Sequence, residues 1–556
     1  MGASLNRMTK KKVNKLDPNT YLHLKLTGSI KEYNELKDDY FFAKFSEQTP
    51  AIHDLIQKIN FATHDPNVRG MVIEPFYLST GYANMNELRA AITKFKQANK
   101  PVYTYLELAG NSDYFLSCVA DKIFMNPSSS AGLILTGIGS DVLFFKEMFE
   151  KIGVEVNVIH AGDYKGAGEN FSRTEFSPPV RKNLERLFDD IYGQMLSTIA
   201  GSRNISLDEI KHIYENRKDI IINQQSALDF KLVDELAFRD DMLNKLDIKK
   251  NQLLNINKYA IKEQNLLSNS QIAVVYAQGE IMKGSSADTE RLTSAKLLKI
   301  LDDVQKDSKV KAVVLRVNSP GGSALESEIM LHKINQVREQ KPVVISMGNV
   351  AASGGYYIAC NSDYVFADNF TITGSIGVVG MLPNIEDLSE KMGITTDKIT
   401  RGKYTGLLSF WQRPTSDEIA SIKSMIASTY VEFKTRVAEG RNLSLEDVEK
   451  IAQGQVWSSS DALSKKLIDE VGSVNDAVLK ASTLANMTSY SVQYYPQQKT
   501  FMEYFLQENF DIDIISKYIS NQSSYAFIQI KDLYEYLKSV LYDPVQAVCP
   551  VAGIVE

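Results

Sequence analysis

The sequence predicts an α/β chain made of two copies of one domain. Blocks of residues recur at a near-constant spacing. Each copy alternates short apolar runs with amphipathic stretches, and a polar segment lies between the two copies. The recurrence is the strongest sign. DPNVRGMVIE begins at Asp65 and DSKVKAVVLRV at Asp307, 242 positions apart, while KPVYTYLEL from Lys100 and KPVVISMGN from Lys341 are 241 apart. YFLSCVADKIF from Tyr114 mirrors YYIACNSDYVF from Tyr356, again 242 apart. Later blocks drift: the RNIS motif ending at Ser206 and the RNLS motif ending at Ser444 are 238 apart, and the blocks ending at Glu235 and Glu470 are 235 apart. Small loop deletions produce such a drift.

The runs MVIE, VYTYLEL, IAVVYA, AVVLRV and VVISM are near-continuously apolar and bounded by Gly, Pro and Ser, the pattern of strands buried on both faces. Stretches at about 175–200 and 414–440 carry apolar residues at three- and four-residue spacing and predict long helices. The expected division is an N-terminal repeat over 1–250, a linker over 251–270 rich in Asn, Gln and Lys, and a C-terminal repeat over 271–500. Residues 501–556 have no counterpart in the first copy, and their aromatic spacing in YAFIQIKDLYEYL suggests a C-terminal helical extension.

With 556 residues, 62 basic and 68 acidic side chains are well mixed and leave a net charge of −6, so no concentrated basic face marks a nucleic-acid protein. Cys118, Cys360 and Cys549 are too few and too scattered for a disulfide framework, and Cys549 has no assignable role. The six histidines show no metal-ligand spacing, and no cofactor or metal is expected. The first twenty residues are polar and basic, with Lys10, Lys11 and Lys12 together, and no run of eighteen apolar residues occurs.

Two motifs in the second copy carry chemistry. In KPVVISMGNVAASGGYYIAC an apolar run leads through a turn to Ser353, then Gly354, Gly355 and a helical run. Strand, tight turn, serine and helix together project an Oγ over the amides that open a helix. In VNSPGGSA, Gly321 and Gly322 follow Pro320 at the end of the strand AVVLRV and can turn amides inward. Acyl transfer needs two donors converging on an oxygen as it becomes negative, and N–H groups of Gly322 and Gly354 suit that role. Carried back by 242, Ser353 becomes Asn111, which cannot act as a serine-type nucleophile, and the glycine pair after it becomes Ser112 and Asp113. The first copy therefore reads as a scaffold without the site.

A serine hydroxyl needs a base. No histidine follows Ser353, so lysine is the alternative, with its pKa lowered by desolvation. Lys165, in the glycine-flanked HAGDYKGAGENF, is one candidate, and Lys403 in RGKYTG, 238 positions on, is the other. Spacing alone does not choose between them.

MGNVAASGGYYIA, VNSPGGS and DYKGAGENF together resemble the tandem-repeat form of the bacterial signal peptide peptidase family, also called protease IV. The resemblance implies tandem Clp protease/crotonase-like domains built from repeated β-β-α units. It implies a Ser–Lys dyad of Ser353 and Lys165, with the lysine supplied by the first repeat, and a supporting hydroxyl at Ser375 that orients the amine. It further implies a homotetramer that degrades remnant signal peptides and other hydrophobic peptides through an acyl-enzyme. The implied place is the bacterial inner membrane, with the catalytic domains facing the periplasm and an N-terminal anchor missing from this sequence. Two other readings share the twin-amide hole. An enoyl-CoA hydratase or isomerase would need a carboxylate where this chain has a serine, and a non-catalytic membrane scaffold would have no reason to keep both glycine pairs.

Overall fold

The computed structural model describes residues 16, 18–35, 50–260, 269–286, 288, 290–407, 409–498 and 545–549. They divide into two compact units. The first comprises Met1–Asn34, Tyr40–Ile138 and Tyr192–Asn265, and the second Glu35–Asp39, Gly139–Ile191 and Leu266–Glu556.

In the first unit the apolar runs become β1 (Thr20–Gly28), β2 (Val68–Leu78), β3 (Val102–Leu106) and β4 (Lys122–Met125), interleaved with α1 (Ile52–His64), α2 (Tyr82–Gln97) and α3 (Asn111–Ser117). The four strands pair in that order, all parallel, with short strands at Leu253–Asn255 beside β1 and Glu235–Leu236 beside β4. Helix α1 shows the expected spacing, burying Ile52, Leu55, Ile56 and Ile59 on one face.

The second unit takes in β5 (Glu155–Ala161) and the first part of α4 (Pro178–Arg203), with the division falling after Ile191. Its main sheet has the strands β6 (Gln271–Gln278), β7 (Val310–Ser319), β9 (Val343–Ala352), β11 (Ile372–Gly374), β13 (Val456–Ser458) and β14 (Ser491–Tyr495). They lie in the order β13-β11-β9-β7-β6-β14, with β10 (Tyr364–Ala367) also pairing β9. Helices α5 (Ser294–Lys306), α6 (Ala324–Arg338) and α7 (Gly354–Ala359) connect the strands, and α8 (Ser416–Arg441) follows, its first turn closed by a Thr415/Glu418 capping box. All ten residues of β9 are buried. A smaller sheet sets β8 (Gly321–Ser323), β15 (Val545–Val548), β12 (Val378–Asn384) and β5 side by side.

The two copies superpose in sequence register. β2 and β7 start at 68 and 310, α2 and α6 at 82 and 324, and β4 and β10 at 122 and 364, each pair 242 apart. The recurring motifs turn out to be staples. The Lys100 amine donates to Ala62 O and Asp65 O at the end of α1, as Lys341 does to Val304 O and Asp307 O at the end of α5. A cation there also meets the negative end of the helix dipole. Tyr114 Oη donates to Leu232 O and Tyr356 Oη to Leu467 O, both at 2.8 Å. Arg203 pairs with Asp234 and Arg441 with Asp469, both at 2.7 Å.

The expected bounds shift in three places. Residues 139–191, read as part of the 1–250 repeat, belong to the second unit, because β5 pairs antiparallel with β12 over seven residues. The Asn183 side chain also exchanges two hydrogen bonds with the Val456 backbone. The expected linker over 251–270 begins inside structure, since Leu253–Asn255 pairs with β1. Most of the expected extension over 501–556, like the basic stretch Lys10–Lys12, lies outside the described residues, and the described part, 545–548, is a strand rather than a helix.

Candidate active site

Ser353 sits between β9 and α7 with φ 54° and ψ −116°, a left-handed conformation that a residue with a side chain adopts only when its surroundings enforce it. Ser353 N–H donates to Gly374 O and Tyr357 N–H donates to Ser353 O, each at 2.8 Å, so both sides of the turn are tied. The two glycine motifs pack on each other. A Cβ on Gly354 would lie 3.1 Å from Gly321 Cα and 3.2 Å from Gly322 N, and one on Gly355 would overlap Ser319 O. Gly322 itself has φ 146°, and a Cβ there would overlap Ile281 O. Only hydrogen at these positions lets the end of β7, β8 and the start of α7 close together.

Lys165 Nζ lies 2.7 Å from Ser353 Oγ, 3.0 Å from Ser375 O and 3.0 Å from Ser375 Oγ. Lysine and both serines are buried, Lys165 at 1% exposure and Ser353 and Ser375 at 0%. Burial lowers the lysine pKa from 10.5 to about 7, an effect the nearby Cys549 thiol opposes. Three contacts around Nζ suit a neutral amine, with two N–H groups toward Ser375 and a lone pair toward the Ser353 hydroxyl. The lysine is held from below by a residue that sequence reasoning missed. Gly454, at φ 81°, approaches so closely that an added Cβ would lie 2.6 Å from Lys165 N and Cα. Tyr164 N–H donates to Gln453 O at 2.9 Å on the same turn. Gly454 lies 289 positions from Lys165, so local spacing gave no sign of it.

Apolar side chains also pack around β12 and β5. Val379, Met381, Phe149, Ala167 and Phe171 form one cluster, with Val156 and Val158 packed against it. Among the described residues no group of three or more His, Cys, Asp or Glu is placed to hold a metal.

A family model for peptidase family S49 matches residues 94–253 and 335–488, more than half of the chain. The chain belongs to peptidase family S49. Protease 4 of Haemophilus influenzae is 33% identical over 86% of this chain and 79% of its own length. Protease 4 of Salmonella typhi is 31% identical over 82% of this chain and 75% of its own length. The chloroplastic serine protease SPPA of Arabidopsis thaliana is 32% identical over 77% of this chain, which spans 64% of that relative's length. The signal peptide peptidase, or protease IV, resemblance drawn from the motifs is therefore a family membership, and serine-protease activity comes with it.

Within this S49 chain the two candidate lysines part clearly. Lys403 is exposed, with its side chain 66% accessible, and is 2.7 Å from Asp417. Hydrogen bonds to Asp417 and Tyr404 raise its pKa, so it stays an ammonium. Lys165 and Ser353 lie in the same compact unit, not one in each as the repeat boundary implied. In the first unit Asn111 is used structurally: Nδ2 donates to Gly137 O at 2.8 Å and Oδ1 accepts from Gly137 N–H. Asp113, the counterpart of Gly355, is buried and accepts from Leu78 N–H at 3.0 Å and Gly110 N–H at 2.9 Å. Among the described residues no helix is long and apolar enough to cross a membrane.

Proposed function

We propose that this S49 chain is a Ser–Lys endopeptidase in which Ser353 attacks the peptide carbonyl and Lys165 is the general base. The observation that carries this reading is the 2.7 Å approach of a fully buried amine, its pKa lowered to about 7, to the Ser353 hydroxyl. The neutral amine takes the Ser353 proton as Oγ bonds to the carbonyl carbon. The carbonyl oxygen becomes negative between the Gly322 and Gly354 amides, and losing one such donor costs about 3–4 kcal/mol of transition-state stabilisation. Collapse of that intermediate breaks the C–N bond, and the Lys165 ammonium returns its proton to the leaving nitrogen. Water, deprotonated by the same amine, then releases the acyl group from Ser353. Ser375 is a positioning residue that fixes the direction of the Lys165 lone pair.

Hydrophobic peptides, remnant signal peptides among them, are the substrates this reading assigns, in keeping with membership of peptidase family S49. The topology of parallel strands with helical crossovers, repeated at a 242-residue interval, favours two Clp protease/crotonase-like domains. Large apolar side chains on the second unit's surface, such as Ile399 at 92% exposure and Trp411 at 45%, favour a closed homo-oligomer, which we take to be a tetramer attached to a membrane on its extracytoplasmic side. The test is kcat/KM on a fluorogenic hydrophobic peptide for Ser353→Ala, Lys165→Ala and the double variant. All three are expected at background, with the double no worse than either single, because the pair works as a unit. Substantial turnover by the purified Ser353→Ala protein removes the assignment. Light scattering that finds an active monomer removes the assembly.

A further inference from the structure

The loop that carries Lys165 is held by groups that take no part in the chemistry. It contains Gly162, Gly166 and Gly168, which leave its own backbone few torsional limits. What fixes it is the turn Gln453–Gly454–Gln455. Gln453 O accepts from Tyr164 N–H at 2.9 Å, and Gly454 lies against the Lys165 backbone with no room for a Cβ between them. The same turn holds the other wall of the amine's site. Gly454 N–H donates to Ile376 O at 2.8 Å, and Gln455 O accepts from Ser375 N–H at 2.6 Å. One turn therefore sets the separation of Lys165 from Ser375, whose O and Oγ both meet Nζ. All of these residues, with Ser353, lie in the second unit.

That turn needs support of its own. Gln453 has φ 57°, in the left-handed region, where a residue with a side chain is strained. The support comes from two helices. Tyr430 and Lys434 stand one turn apart on α8, and Glu449 lies on α9 (Leu445–Ile451). Gln453 N–H donates to Tyr430 Oη at 3.1 Å, and Gln453 Nε2 donates to Glu449 Oε1 at 2.8 Å. Tyr430 Oη donates in turn to the Glu449 carboxylate, 3.3 Å from each oxygen. Lys434 pairs with that carboxylate and lies over the Tyr430 ring. Burial raises the pKa of the Tyr430 hydroxyl, and the nearby Glu449 and exposed Asp163 carboxylates add to the rise, so the hydroxyl keeps its proton. Burial pushes the Glu449 carboxyl up, but the hydrogen bond from Lys434, with those from Gln453 and Tyr430, outweighs it and keeps the group ionised.

We propose that Tyr430 and Glu449 are positioning residues for the general base: they hold the Gln453–Gly454 turn in its strained form, and the turn holds the Lys165 amine between Ser353 and Ser375. This inference rests on the Ser353–Lys165 reading of the site. Nζ makes its own contacts to Ser353 and Ser375, and the two side chains act on it only through the turn. Without the Tyr430 hydroxyl, Gln453 N–H loses its acceptor and the turn relaxes out of the left-handed region. Gly454 then withdraws from Lys165, and Ser375, tied to Gln455, shifts with it. The amine gains room for water, which favours its charged form. A displacement of about 1 Å at a reacting group costs about 10²-fold in rate. The loss falls on kcat, because the turn grips the base and not the substrate.

The test measures kcat, KM and the pH profile of kcat/KM on one fluorogenic hydrophobic peptide, for the full chain and for Tyr430→Phe and Glu449→Ala. Both variants are expected to lower kcat by about 10- to 100-fold with KM within about twofold. Both should also move the midpoint of the profile upward from about 7, by about half a unit or more. Rescue separates positioning from folding. Adding Gln453→Gly to Tyr430→Phe removes the strain that the hydroxyl holds, since glycine adopts φ 57° freely, and should recover about fivefold in kcat. Hydrogen exchange reads the turn without catalysis: Tyr430→Phe should speed exchange at the Gln453 and Tyr164 amides. An unmoved midpoint with kcat within about twofold in both variants overturns the proposal and leaves the dyad intact. A fall in kcat with the midpoint unmoved and no rescue by Gln453→Gly overturns it too, since Tyr430 and Glu449 then serve only the fold. Substantial turnover by Lys165→Ala in the same assay overturns the dyad instead. If Glu449→Ala does not fold, Tyr430→Phe, which removes a single oxygen, decides with the exchange measurement.

Discussion

Replacing Lys165 by methionine keeps an unbranched chain of similar volume and deletes the amine, so it separates what the lysine does for chemistry from what it does to the fold. In the unfolded chain the amine holds its proton up to about pH 10.4. In the folded protein burial brings the pKa down to about 7. At pH 7 the fold therefore bears a cost of about 4–5 kcal/mol, at about 1.4 kcal/mol per pH unit over some 3.4 units. The three polar contacts of Nζ offset about 3 kcal/mol of this, at about 1 kcal/mol each. The Lys165→Met protein should be about 1–2 kcal/mol more stable than the natural chain at pH 7, while kcat/KM falls by about 10³-fold or more.

The pH dependence is the sharper measurement. Between pH 7 and about 10.4 the unfolded lysine is protonated and the folded one is not, so the unfolded state binds more protons and stability rises with pH. Methionine has no such dependence, and titrations elsewhere cancel in the difference between the two proteins. The advantage of Lys165→Met should shrink by about 1.4 kcal/mol per unit from pH 7 to pH 9 and change sign on the way; below pH 7 it should level off. Urea unfolding of both proteins at pH 6, 7, 8 and 9 reads this directly. A stability difference that is flat from pH 7 to pH 9 would mean that the folded amine keeps an ordinary pKa, and Lys165 would then be no base at neutral pH. The same titration predicts that kcat/KM of the natural chain rises with pH through about 7 and levels off above it, because the active form is the neutral amine.

Three further outcomes follow from the geometry. Lys403→Ala should keep its full kcat/KM, since the ammonium is exposed and paired with Asp417. Ser375→Ala should lower kcat by about tenfold with little change in KM, because its hydroxyl orients the Lys165 amine without touching substrate. Asp113→Asn should cost about 1–3 kcal/mol in urea unfolding while kcat/KM is kept, because an amide must turn its N–H₂ toward the N–H of either Leu78 or Gly110.

What could be read from the sequence was what depends on neighbours along the chain. A buried strand, a turn, Ser353 and a glycine-led helix form one local unit, and the same is true of Pro320, Gly321 and Gly322 at the end of β7. The repeat could be read because its motifs are local staples, such as Lys100 and Lys341 reaching back to the helix before them. The choice between Lys165 and Lys403 could not, since both occupy corresponding positions and only burial separates them. That burial depends on β5 pairing with β12 more than two hundred residues later, and β5 shows only weak alternation of buried and exposed residues. β15 was missed for another reason. Aromatic spacing upstream suggested a helix to the end, although VQAV between Pro544 and Pro550 has the composition of a short strand bounded by prolines.

The two copies also differ in how they satisfy the same backbone. In the first unit the amides of Leu78 and Gly110 are both held by the Asp113 carboxylate, whereas their counterparts 242 residues on are Pro320, which has no N–H, and Ala352. Burial raises the pKa of that carboxylate, and its hydrogen bonds to the backbone pull the other way. In the first unit a glycine at 113 would leave those donors without a buried acceptor, a penalty of about 1–3 kcal/mol each. The Asp113 carboxylate removes it. The second copy has no room for such a side chain, because a Cβ at Gly355 would overlap Ser319 O. It therefore keeps an open turn, a serine at φ 54° and a buried amine, all of them costs to stability. Confining these to one unit leaves the other free of them, and a chain with one site can bear what a chain with two would bear twice.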